Sequence, residues 1–235
     1  MTRSEKVHSS EYEVLNYVLY QHYPETSCVP GTWNLSYFLD HTNVVQLARI
    51  QAPGVSLARA AGKPVILLEF NSVSCGGKRG QSDTASFGVA MWTIDYVLSL
   101  AVNNWTAAYI HTREAGISYN LINPPNPRNS AWSVGPQYYS LLFLAEALQG
   151  VPGDHSGSVI VADLNLPTTT TVSLAGYAIY DKGAKFFSGL SLSTMGTYEL
   201  QIAPRGLRLH LLCLLAFLVL LTTEPLARNI LQRDV

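Results

Sequence analysis

Glu69 closes the short apolar run 65–68 and opens a loop rich in serine and glycine. Four apolar residues are too few for a helix and suit a strand buried on both faces. A carboxylate at the C-terminal end of such a strand stands where barrels of parallel strands keep their catalytic groups. Its chemistry there would be nucleophilic attack or proton transfer. The plainer reading is a strand-end glutamate paired with Lys63, Lys78 or Arg79. Other groups invite the same comparison. His22 and Tyr23 form a polar-aromatic cluster at the end of an apolar run. His111 ends another run and reads as a satisfied packing histidine. Asp95 lies within an apolar helix, where hydrogen bonding inside the core is the better reading. Trp92, Trp105 and Trp132 read as core residues rather than binding platforms, although Trp132 follows a loop that could reach the same cleft. No CxxC pair or Cys/His cluster has ligand spacing, so no metal and no cofactor is expected. Cys28 and Cys75 can pair across two loops, and spacing alone leaves that open.

The elements that position these groups alternate. Residues 14–20 read as a strand, 35–39 as a short helix and 44–61 as a helix that Pro53-Gly54 must kink or restart. Gly62 suits its C-cap. After the Glu69 strand come a loop to Ser82, a helix over 83–102 capped by Ser82 or Asp83, a strand over 106–111 and a helix over 134–148 ended by Gly150. Strand and helix in turn favour a parallel sheet. Beyond Gly150 the short runs 159–164, 172–180, 185–192 and 198–202 read as antiparallel strands. The organisation is therefore a polar N-terminus at 1–12 expected to be disordered, an α/β part at 13–150, a β part at 151–204 and an apolar tail at 205–235.

Hydrophobic residues make up 48% of the 235 and charged residues 13%, which argues against a disordered chain. A net charge of -1 gives no reason to expect a nucleic-acid partner. The N-terminus does not read as a signal peptide. The sequons at Asn34 and Asn104 matter only in a secreted chain. Residues 209–221 are apolar apart from His210, about 13 residues where a span needs roughly 20. Membrane contact through 207–223 is one expectation for this segment.

The stretch Glu69-Phe70-Asn71-Ser72-Val73-Ser74-Cys75-Gly76-Gly77, then Ser82-Asp83-Thr84 and Met91-Trp92-Thr93-Ile94-Asp95-Tyr96, resembles glycoside hydrolase family 79. That family holds β-glucuronidases, with heparanase a better-known relative. His22-Tyr23-Pro24, Tyr119-Asn120 and Trp132-Ser133-Val134-Gly135-Pro136-Gln137 agree in order, so the resemblance runs from about 13 to 202. It implies an α/β chain holding strands 6–8 of a (β/α)8 barrel, followed by part of an antiparallel β-sandwich. It implies a retaining hydrolase of uronides, with Glu69 the nucleophile. Ser74, Gly76 and Tyr119 would help hold the uronate carboxylate, and His22 and Tyr23 would line the cleft. The ligand would be a glucuronide-type carbohydrate and the setting extracellular. The family's acid/base glutamate follows strand 4, which this chain lacks, so it is expected to be inactive alone. Three strands also leave two sheet edges and an inner face open. The rival reading is a non-catalytic carbohydrate-binding or interaction module, anchored by the apolar tail.

Overall fold

The computed structural model describes residues 13–29, 34–77, 86–113, 115–125, 130–148, 159–166 and 174–181, with strand backbone at 186–193, 197–202, 207–212 and 216–223. The first half is a three-stranded parallel sheet in the order β1 (Val18–His22), β3 (Val65–Phe70), β5 (Ala107–Ile110). Three helices, α1 (Leu35–Phe38), α2 (His41–Ala48) and α3 (Ala52–Ala60), connect β1 to β3. One helix, α4 (Phe87–Val102), connects β3 to β5. Beyond the sheet, β2 (Glu25–Thr26) pairs in parallel with β4 (Val73–Ser74). A ribbon of β6 (Ile122–Asn123) and β7 (Ser133–Val134) then leads into α5 (Pro136–Ala147).

Local chemistry sets these boundaries. The Asn34 side chain accepts from the Ser36 amide at 3.0 Å and Asp40 from the Thr42 amide at 2.9 Å, capping α1 and α2. The expected helix over 44–61 is two helices. Pro53 has no amide hydrogen and fits the first turn of α3, where none is needed. Gly62, at φ 71°, ends α3 as expected, and the Lys63 amide donates to the Ala58 carbonyl at 2.9 Å. The cap of α4 is Ser86 by position; Ser82, Asp83, Lys78, Arg79 and Gly150 lie outside the described residues.

Helix α4 is the centre of the molecule. It is apolar nearly all round and buried along most of its length, as a helix between two layers must be. Trp92, Tyr96 and Leu100 meet Val65, Leu67 and Phe70 of β3 and Val44, Ala48 and Val55 of the preceding helices. Met91, Ile94 and Leu98 meet Leu144 of α5 and Ala175, Tyr177 and Ile179 of the following β part. No helix among the described residues is long and apolar enough to cross a membrane.

The β part is a four-stranded antiparallel sheet in the order β13 (Ala216–Thr223), β10 (Phe186–Ser193), β9 (Leu174–Asp181), β8 (Val159–Asp163). A separate pair joins β11 (Thr197–Ile202) to β12 (Leu207–Leu212). Two strands of the expected apolar tail pair with strands before it, β12 with β11 and β13 with β10 along eight residues. Within the run 209–221, residues 209–212 pair with β11 and 216–221 with β10. Strand β3 is not buried on both faces, for Leu68 is 45% exposed.

Candidate active site

The side of the sheet on which Glu69 lies is decided by an irregularity. Against β1, Tyr20 pairs with Leu67 but Gln21 pairs with Glu69, so Leu68 is an extra residue. Against β5, Leu67 pairs with Ala108 and Phe70 with Ile110, so Leu68 and Glu69 together face one residue. This is a β-bulge, which bends the strand and re-aims a side chain. Without it, simple alternation would send Glu69 to the helix side with Val65 and Leu67. With it, Phe70 takes the buried position and Glu69 joins Leu68 on the open face.

There Glu69 meets groups from both neighbouring strand ends. The Tyr23 hydroxyl donates to Glu69 Oε1 at 2.5 Å. His111 Nδ1 lies 3.7 Å from the same oxygen. The Tyr23 and His111 rings meet edge to face at 6.1 Å, and the Tyr119 ring lies 6.2 Å from His111. Burial, the hydrogen bond to Glu69 and its negative charge all push the Tyr23 hydroxyl well above its ordinary range, while Arg113 pulls the other way. Tyr23 therefore stays a proton donor in this contact.

The loop after Glu69 is held on two sides. Cys28 and Cys75 form a disulfide with Cα atoms 5.7 Å apart, joining the loop that carries Tyr23 to the loop that follows Glu69. The Ser27 hydroxyl donates to the Ser74 carbonyl at 2.8 Å. Cys75, Gly76 and Gly77 then take φ of 61°, 79° and 74° in succession. The turn brings their backbone against the loop after β5, where the Ser118 amide donates to the Gly76 carbonyl at 3.0 Å. The φ of 74° at Gly77 favours glycine, and a Cβ there would also press on the Ser118 side chain.

Buried amides fix the rest. Asn71 donates to the His111 carbonyl at 3.0 Å, tying the end of β3 to the residue that faces Glu69. Asn120 accepts from the Thr112 hydroxyl and the Arg113 amide, both at 2.9 Å, and so closes the loop that presents Tyr119.

Glu69, Tyr23, His111 and Tyr119 thus form one group, with Ser74 and Gly76 in the loop beside it. His22, which the resemblance placed along the cleft, does not join them. Its Nδ1 lies 2.5 Å from the Tyr96 hydroxyl on α4, because neighbouring strand residues point to opposite faces. Burial lowers its pKa, as suits a neutral core histidine. Gln21, the register partner of Glu69, is exposed. His111, read as a packing histidine, approaches Glu69, and Arg113, which the sequence did not single out, acts on Tyr23 through its charge. Trp132, read as core, is exposed, whereas Trp92 and Trp105 are buried. Asp95 keeps the hydrogen-bonding role expected of it, with His41 Nδ1 at 2.9 Å. The group has no metal-ligand cluster around it among the described residues.

Over 157 residues the chain is 29% identical to a β-glucuronidase of Aspergillus niger, covering 63% of this chain and 27% of that protein. The chain resembles glucuronidase-like glycoside hydrolases. No family model matches it. Its fold is similar to the crystal structure of a 4-O-α-L-rhamnosyl-β-D-glucuronidase from Fusarium oxysporum, solved with a Rha-GlcA complex. The TM-score is 0.61 at 22% identity, over 76% of this chain and 35% of that one. The chain therefore spans about a quarter of the curated relative and about a third of the solved one.

Proposed function

We propose that this chain carries the nucleophile-bearing part of a retaining β-glucuronidase of family 79 type. In this reading β1, β3 and β5 are strands 6–8 of a (β/α)8 barrel, and the antiparallel sheet is part of a β-sandwich. Glu69 attacks the anomeric carbon of a glucuronide. The bond from that carbon to the leaving oxygen breaks, and an ester to the Glu69 carboxylate forms. Tyr23 holds the carboxylate in line, His111 lies beside it, and the Arg113 charge acts on Tyr23. Ser74, Gly76 and Tyr119 hold the uronate carboxylate, which suits a backbone turn presenting amides and a phenol. The single observation behind this reading is the bulge that puts Glu69 on the open face against the Tyr23 hydroxyl.

A retaining enzyme needs a second carboxyl group about 5 Å from the first to protonate the leaving oxygen. Among the described residues, the group around Glu69 holds one carboxylate. The open face of the three strands is where further barrel strands would bring the other, so ordinary glucuronides should not turn over on this chain. A dinitrophenyl glucuronide needs no such proton, because its electron pair leaves on a stable phenolate. Incubated with it, the chain should gain one glucuronosyl group on Glu69 by intact mass and peptide mapping, and Glu69→Gln should gain none. An unlabelled wild-type chain would remove the nucleophile assignment. The disulfide fits the oxidising, extracellular setting such enzymes occupy.

A further inference from the structure

Gln137 is the second residue of α5, and its buried amide touches two other elements. Its Nε2 donates to Asn71 Oδ1 at 3.2 Å and to Thr93 Oγ1 at 3.0 Å. Asn71 directly follows β3, Thr93 lies on α4, and both are buried. The surrounding bonds fix which end of each amide is which. Asn71 Oδ1 also accepts from the Ser72 amide at 2.8 Å, and Asn71 Nδ2 donates to the His111 carbonyl at 3.0 Å. The Thr93 hydroxyl donates to the Val89 carbonyl at 2.8 Å. Both oxygens that Gln137 meets therefore need a donor, and only its NH₂ group supplies one.

Stability alone does not explain a glutamine here. Its Oε1 is buried and makes no hydrogen bond among the described residues. A buried acceptor without a partner destabilises a fold. The groups that Gln137 touches would not be orphaned by its loss. Asn71 would keep the Ser72 amide and the His111 carbonyl, and Thr93 would keep the Val89 carbonyl. An apolar side chain of similar length would leave none of them unpaired. A buried position that breaks this rule is expected where a fold keeps a geometry that stability would not select.

The geometry in question is that of His111. Two donors on one oxygen hold the Asn71 amide, so its nitrogen stays aimed at the His111 carbonyl. The His111 amide in turn donates to the Phe70 carbonyl at 2.8 Å. The His111 backbone is thus tied to the end of β3 through both its polar groups, with Nδ1 at 3.7 Å from Glu69 Oε1. The start of α5 is anchored as well, since the Gly135 amide donates to the Leu121 carbonyl at 2.8 Å.

We propose that Gln137 is a positioning residue for the Glu69 group, acting through Asn71 to hold His111 beside the carboxylate. The assignment rests on the reading of Glu69 as a glycosidase nucleophile. In that reading the sugar is held by Ser74, Gly76 and Tyr119, none of which Gln137 touches. Its loss should therefore slow attack and leave sugar binding alone.

The test is covalent labelling of the full chain over a range of dinitrophenyl glucuronide concentrations, with melting curves alongside. Gln137→Met should slow labelling at saturation about tenfold, within the roughly 100-fold that a misplacement of about 1 Å costs. The half-saturating concentration should stay the same, and the melting temperature should hold or rise. In a His111→Ala background, Gln137→Met should slow labelling no further, because residues acting along one line are not additive. An unchanged rate in Gln137→Met overturns the positioning role. A melting temperature that falls with the rate also overturns it, and makes Gln137 a structural residue. The same slowing with and without His111 overturns the route through His111. All three results leave Glu69 as the nucleophile. A wild-type chain that takes no label overturns the nucleophile reading and this role with it.

Discussion

A carboxylate works as a nucleophile when its orientation is held and its charge is left available. Tyr23 meets both conditions for Glu69, donating one hydrogen bond at 2.5 Å from a hydroxyl that burial keeps protonated. Tyr23→Phe should slow covalent labelling by the dinitrophenyl glucuronide about 10–100-fold, the worth of a hydrogen bond to a charged acceptor. Thermal stability should change little, since the contact is only partly buried. Stopped-flow release of the phenolate, read beside a melting curve, separates the two effects. The strand-end place of Glu69 was legible in the sequence because an apolar run and the residue that follows it are local properties. His111 was not, because which histidine faces a carboxylate depends on the neighbouring strand's register.

Among the elements, α4 couples the two halves through a buried polar cluster. His41 of α2 lies between Asp95 of α4, at 2.9 Å, and Asp163 of β8, at 3.1 Å. The Tyr177 hydroxyl from β9 donates to Asp95 and lies 2.7 Å from the Ser99 hydroxyl. Burial opposes charge on His41, but the hydrogen bonds to Asp163 and Asp95 outweigh it and raise its pKa to about 10. The same hydrogen bond from His41 lowers Asp163 against the effect of burial, whereas burial pushes Asp95 up. A raised histidine contributes stability that is complete below its free value of 6.5 and fades as pH climbs through about 10. Melting temperature should therefore fall between pH 7 and 10, and His41→Gln should flatten that slope. His41→Ala leaves two carboxylates facing each other and should cost about 3–5 kcal/mol. Urea titration at pH 7 would measure it. The sequence marked Asp95 as a hydrogen-bonding core residue, but its partners lie 54 and 82 positions away in opposite directions and only packing unites them.

At the scale of the whole molecule, the disulfide closes a separation of 47 residues across the mouth of the site. Its reduction should destabilise the chain by about 2–4 kcal/mol. Denaturant titration with and without a dithiol would show it, with Cys28→Ser/Cys75→Ser matching the reduced form. The parallel sheet is covered on its helix side, while Leu19, Leu68 and Tyr109 stay exposed on the strands themselves. Strands β1 and β5 end the sheet in the described residues, and open edges beside apolar surface promote association. Light scattering should therefore rise with concentration, and Leu68→Ser/Tyr109→Ser should reduce it. No change would mean that this face is covered in solution.

Sequence alone determined what depends on neighbours along the chain. The strand ending in Glu69, the Gly62 cap, the alternation of strands and helices and the apolar character of α4 all follow from local propensity and pattern. The same local record carried the resemblance to a glucuronidase. Tertiary structure decided what depends on residues meeting from afar. It set Glu69 on the open face, because a bulge is defined only against partner strands. It turned His22 to the helix side and His111 to the carboxylate. It paired residues 207–212 and 216–223 of the apolar tail with earlier strands, which apolar character alone does not specify. It also left Trp132 in water, where burial was the expectation, since the burial of a side chain belongs to the fold around it.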